Sequence, residues 1–268
     1  MQARITLNGM LIIRVCFWVT IALVMASLLV PLIEFENEAV ELAFSKLLLD
    51  SERNPGAFFS FLLLLIAGIL LAMIAAHERQ LGSRWWRHWA VLAALFVLLA
   101  YDEAAGLHEQ LNEPLAASLN TGGLFLWAWV IPGLIFVSVV GAAYLPFLRA
   151  LPPVFRNLFL LSGALFVGGA LGVEMLGALY FEGSGRTRIY TLITTIEETL
   201  EMAGSLLFIY SLMKYLTVRA DRFDLQVTLV DGARTTVPTA ARPQATRAAP
   251  AGSAHGAARV ALGRSRPR

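Results

Sequence analysis

The sequence predicts an all-α fold: a polytopic bundle of six transmembrane helices followed by a disordered C-terminal tail. Three observations carry this expectation: the composition, the spacing of charge-free runs, and the sidedness of the basic residues. Of 268 residues, 57% are hydrophobic and 15% charged, whereas soluble domains run at about 45–50% and about 25%. Mean hydropathy is +0.67. That composition excludes a disordered chain, a secreted disulfide scaffold and an ordinary soluble enzyme. The single cysteine, Cys16, cannot form an internal disulfide or a thiolate metal cluster.

Three charge-free runs, 15–33, 54–76 and 114–148, are long enough to cross a hydrocarbon core, which takes about 20 helical residues. They place spans at 11–33, 56–76 and 123–147. Arg4 and Arg14 precede the first run, but its apolar length exceeds that of a signal peptide, so it reads as a retained span. Three further runs, 89–101, 157–173 and 202–213, are too short alone and are bounded by acids. If they cross, at 86–110, 156–181 and 190–216, they carry those acids into the membrane. Together these spans make up a transmembrane domain over 1–220.

Sidedness fixes the expected topology. With six spans, 17 of the 21 Lys and Arg residues fall on one side, among them Arg79, Arg84, Arg87, Arg149, Arg156 and Lys214. Basic loops stay cytoplasmic, so both termini are expected there, in a plasma membrane. Trp85, Trp86 and Trp89 then read as an inner aromatic belt, and Trp127 and Trp129 as an outer anchor. His77 and His88 read as interfacial residues. Residues 221–237 alternate around Asp231-Gly232, a hairpin signal. From 238 to 268 the chain is Ala, Pro, Gly, Ser and Arg without an acid, a composition that cannot build a core. Its arginines suit contact with anionic lipid, and His255 within it reads as inert. No nucleotide-binding glycine motif occurs, and no nucleic-acid partner is expected.

Eight acids gather at the outer ends of the third, fifth and sixth spans. Asp102, Glu103, His108, Glu109 and Glu113 lie on the third. In a continuous helix, Asp102 and Glu109 differ by about 20° and form one stripe. Glu197, Glu198 and Glu201 share one face of the sixth, near Tyr190, Thr194 and Ser205. Glu174 lies on the fifth beside Gly168 and Gly172, a small-xxx-small pair that lets helices approach closely. The plainer reading takes Thr195 to Glu198 as a capping box at the start of a helix.

Seven of these carboxylates cannot all remain ionised in an apolar setting. Protonation, water or bound cations must compensate them. Asp102, Glu103, His108, Glu109, Glu174, Glu197, Glu198 and Glu201 are therefore the candidate ligands of a divalent ion such as Fe, Mn or Zn. The pattern departs from di-iron carboxylate bundles, because it has no Glu-x-x-His pair and one histidine. The sequence thus points to a metal-dependent membrane enzyme acting on a lipid or other apolar substrate. The alternatives are a proton- or cation-coupled transporter and a membrane scaffold without catalysis. No internal repeat supports the transporter.

Overall fold

A computed structural model describes residues 9–49 and 54–219. The expected hairpin at 221–237 and the tail at 238–268 lie outside the described residues, as do Arg4 and Arg53. Among those described, every regular element is helical.

Helix α1, Gly9–Leu29, tightens into a 3₁₀ turn at Val30–Leu32, where Pro31 supplies no N–H to continue the ladder. A short surface helix, α2 (Glu38–Ser45), starts at Asn37, whose side chain accepts from Ala39 N at 2.9 Å. Helix α3 (Pro55–Gln80) begins the same way, with Asn54 Oδ1 accepting from Ala57 N at 2.7 Å and Pro55 in the first turn. A tight connection with Gly82 at φ +68° leads into α4 (Trp86–Ala105). Two short helices, α5 (Leu107–Gln110) and α6 (Asn112–Leu119), precede α7 (Val130–Ala150). Then α8 (Pro153–Val167) passes through a π-helical turn, Gly168–Val173, into α9 (Glu174–Ser184), and α10 (Arg188–Arg219) closes the bundle.

Five segments are long and apolar enough to cross a membrane: Gly9–Leu32, Pro55–Gln80, Trp86–Ala105, Val130–Ala150 and Pro153–Ser184. Their outward faces carry large apolar side chains such as Trp18, Ile135 and Val139, all more than 60% exposed, as lipid-facing surfaces do. Helix α10, the longest at 32 residues, is not among the five; its first half holds Glu197, Glu198 and Glu201.

Helix α10 is the element the others surround, packing on α1, α3, α8, the π turn and α9. The core lies towards its C-terminal half, where Met202, Ile209 and Leu212 meet Leu63, Leu71 and Ile74 of α3. Trp89 is fully buried there against Phe147, Phe159 and Tyr215, with ring centroids 4.9–5.9 Å away. It is therefore a core residue and not part of an aromatic belt. Trp85 and Trp86 do lie at that end, under Arg84 and Arg79 respectively. His88 is no simple interfacial residue either: its ring stacks on Phe147 at 5.6 Å. Nearby, Glu78 is buried, accepting from Tyr215 Oη at 2.8 Å with Arg219 Nε at 3.5 Å. Nothing in the local sequence pattern singled it out.

Two expectations are corrected by local backbone geometry. The third helix does not run to residue 110, because Gly106 adopts φ +59° and caps α4 after Ala105. The glycine seam is displaced as well. Gly168 and Gly172 face open space, whereas a Cβ on Gly169 would sit 2.7 Å from Glu197 O and 3.0 Å from Glu201 Cγ. A π turn winds more residues into each turn than an α-helix, which changes the face that meets α10. Gly204 of α10 completes the contact, with room for no Cβ against Phe166 N at 2.7 Å.

The seam makes a direct prediction. Gly169→Ala forces α9 and α10 apart and lowers stability by about 1–3 kcal/mol, while Gly172→Ala stays within about 0.5 kcal/mol of wild type. Thermal unfolding of both variants in one detergent checks the difference; equal midpoints would remove Gly169 from the seam.

Candidate functional site

A cavity of about 910 Å³ runs between α4, α7, α8 and α10, at the upper end of the ~300–1,000 Å³ range for small-molecule pockets. Most of its wall is apolar, including Leu95, Phe96, Val137, Val140 and Phe208. One end is acidic. Asp102, Glu103, His108, Glu109, Glu174, Glu197, Glu198 and Glu201 all line it, so the structure brings every sequence-nominated residue to one cavity. Tyr190, Thr194 and Ser205 line it too. Glu113 does not, and sits exposed on α6.

The acidic end is built around a carboxylate–imidazole pair. Because Gly106 ends α4 in a left-handed turn, the chain reverses and returns His108 to Asp102. His108 N donates to Asp102 Oδ1 at 2.9 Å, and the ring Nδ1 lies 2.8 Å from Oδ2. Both carboxylate oxygens thus hold one histidine, fixing its orientation. The expected stripe of Asp102 and Glu109 along one helix is replaced by this pairing across a turn.

The His108 ring packs on Trp129 with centroids 4.6 Å apart. Trp129 donates its backbone N–H to Asn112 Oδ1 at 3.1 Å and its indole Nε1–H to Glu174 Oε1 at 3.2 Å. Glu174, first residue of α9, lines the same end of the cavity as Glu197 of α10. Glu197 Oε2 is buried with no hydrogen-bond partner. The polar chain therefore runs from α4 through α5 and Trp129, just before α7, to α9. Trp127 lines the same end and contacts Phe181 at 5.4 Å. Both tryptophans, expected as a lipid anchor, are parts of the site wall. A usable signal was present, since the N–H of a buried indole needs an acceptor.

At the rim, Glu182 Oε2 accepts from Gly123 N at 2.9 Å, tying the loop before α7 to α9. Arg186 is the one Lys or Arg along the described lining. Among the described residues, no three His, Cys, Asp or Glu side chains are disposed to hold a single metal ion.

Residues 15–216 match the family described as Domain of unknown function (DUF8692). The chain belongs to this family. No curated protein and no solved structure matches it. The match takes in the whole cavity lining and ends just short of Arg219.

His108 lies beyond the end of α4 and titrates in a defined direction. Burial disfavours its imidazolium, but the hydrogen bond and charge of Asp102, with Glu103 and Glu109 adding, outweigh burial and raise its pKa above the usual value. A raised histidine pKa stabilises the fold fully below the unfolded value of about 6.5, and that stabilisation is lost as pH climbs through the folded value. The thermal midpoint of the wild type is therefore expected to fall across that window. Asp102→Asn should flatten the dependence and lower the His108 midpoint in an NMR titration. An unchanged midpoint in Asp102→Asn would show that Asp102 does not hold the proton.

Proposed function

We propose that this membrane protein is an enzyme performing acid–base chemistry on a lipid or other apolar molecule taken from the bilayer. The carrying observation is the Asp102–His108 pair, 2.8 Å apart, opening onto a long and largely apolar cavity. In this reading Asp102 sets the tautomer of His108. With Nδ1 engaged, Nε2 is the nitrogen that exchanges a proton with substrate. Glu174 and Glu197 stand at the same end of the cavity as the histidine. Glu103, Glu109, Glu198 and Glu201 complete the acidic lining.

The reading takes α10 as a sixth span, its acids compensated inside the bundle, with both termini on the cytoplasmic side of the plasma membrane. Substrate entry beside α7 is favoured by packing: α7 rests on α8 and the π turn, and its backbone meets α4 at isolated points at most.

A bound Fe, Mn or Zn ion is a second reading, favoured by carboxylates from four helices beside a carboxylate-oriented histidine. Among the described residues, however, no three donors are disposed around one ion. Coupled proton transport is the rival use of the same acids.

One experiment separates these readings. Protein is reconstituted in lipid extracted from its own membrane, and the lipid is profiled by mass spectrometry over time. Wild type should convert one lipid class, and His108→Ala and Glu201→Gln should slow conversion about 100-fold or more. Elemental analysis of the same samples reads any stoichiometric metal. An unchanged profile with proton flux in proteoliposomes would replace the enzyme by the transporter.

A further inference from the structure

We infer that the molecule held in this cavity is a long-chain amphiphile with a primary ammonium head, seated among Glu174, Glu197 and Glu201 with its chain along α7. The inference rests on the reading above that the cavity takes an apolar molecule from the bilayer, and it names the head group.

Length comes first. The lining face of α7 from Gly133 to Tyr144 extends about 16 Å at 1.5 Å per residue, close to half of a ~30 Å hydrocarbon core. That is the reach of one extended chain in one leaflet.

Charge decides the head. Seven carboxyl side chains line the acidic end, against Arg186 and His108. A phosphate or carboxylate head placed there meets like charge in a poorly solvated site. A neutral hydroxyl head compensates none of it. A cation does, and the arrangement discriminates among cations. A metal ion needs donors converging on one point, and no three are so disposed among the described residues. Acceptors spread over α9 and α10 suit a group that sends separate N–H bonds in several directions. A primary ammonium has three such donors, and Glu197 Oε2 is a buried acceptor still without one. A trimethylammonium head has the charge and no donor, so it satisfies the field but leaves that oxygen unbonded.

The test uses wild-type protein in phosphatidylcholine nanodiscs and hexadecylamine carrying a diazirine at its far end. Photocrosslinks should map to the apolar lining of α4 and α7 near Tyr144. Unlabelled hexadecylamine should compete at concentrations about ten-fold or more below those of hexadecanol, hexadecanoic acid and hexadecyltrimethylammonium, the increment expected of charge-assisted hydrogen bonds. Glu197→Gln keeps the side-chain shape and should weaken the amine by a similar factor, with Glu201→Gln as the second variant should the first fail to fold. Gly141→Leu, at a lining position with open space beside it, should block the chain path and abolish crosslinking by every probe. Equal competition by the alcohol or the acid would overturn the ammonium head and leave the cavity reading standing. Crosslinks that avoid the cavity, or that Gly141→Leu does not touch, would overturn both.

Discussion

A carboxyl group placed in hydrocarbon must find a donor, a proton or water, and this requirement organises the bundle. Helix α10 carries Glu197, Glu198 and Glu201 into the packed region, and α9 brings Glu174 to meet them. The neighbouring elements are shaped around that meeting. The π turn at Gly168–Val173 turns Gly169, the residue without a side chain, towards α10 just where Glu197 and Glu201 leave the helix. The indole of Trp129, just before α7, supplies a donor. The Gly106 turn returns His108 to Asp102. At the other end of α10 the same rule holds for Glu78, which Tyr215 and Arg219 satisfy. Two buried acidic sites, one single and one multiple, thus bear on the middle and the C-terminal end of one helix.

These two sites differ in kind. Glu78 is answered by a hydroxyl and a guanidinium, which makes it a fastening between α3 and α10. The Glu174–Glu201 group is answered incompletely, and it faces open volume. Structural acids in membranes are paired within the protein, whereas acids that face a cavity mark paths and sites.

Much of this was legible in the sequence, because hydropathy and charge act over whole segments. The apolar runs anticipated the five long apolar helices, although α4 stops at Ala105 in place of 110 and α7 starts at Val130 in place of 123. The depth at which three separate segments carried acids was enough to nominate the eight residues that line the cavity. What escaped was local and depended on single residues. A third helix drawn through residue 110 passes over Gly106, although a glycine is a common helix stop. The π turn has no sequence signature of its own, so the glycine face was assigned one residue away. Trp89, Trp127 and Trp129 were read from their position near helix ends, and only packing reveals which side of a helix is lined by protein. Glu78 sat among the basic residues of a helix end, where an acid looks solvated.

The size of the cavity carries a consequence for the fold itself. An unfilled void inside a protein costs about 24 cal/mol per Å³, and a domain's whole stability is about 5–15 kcal/mol. A space of 910 Å³ is too large to be kept dry and empty, and its open side lets surrounding molecules enter. On the function proposed above, what enters along α7 is hydrocarbon, and the stability of the protein then depends on the lipids around it.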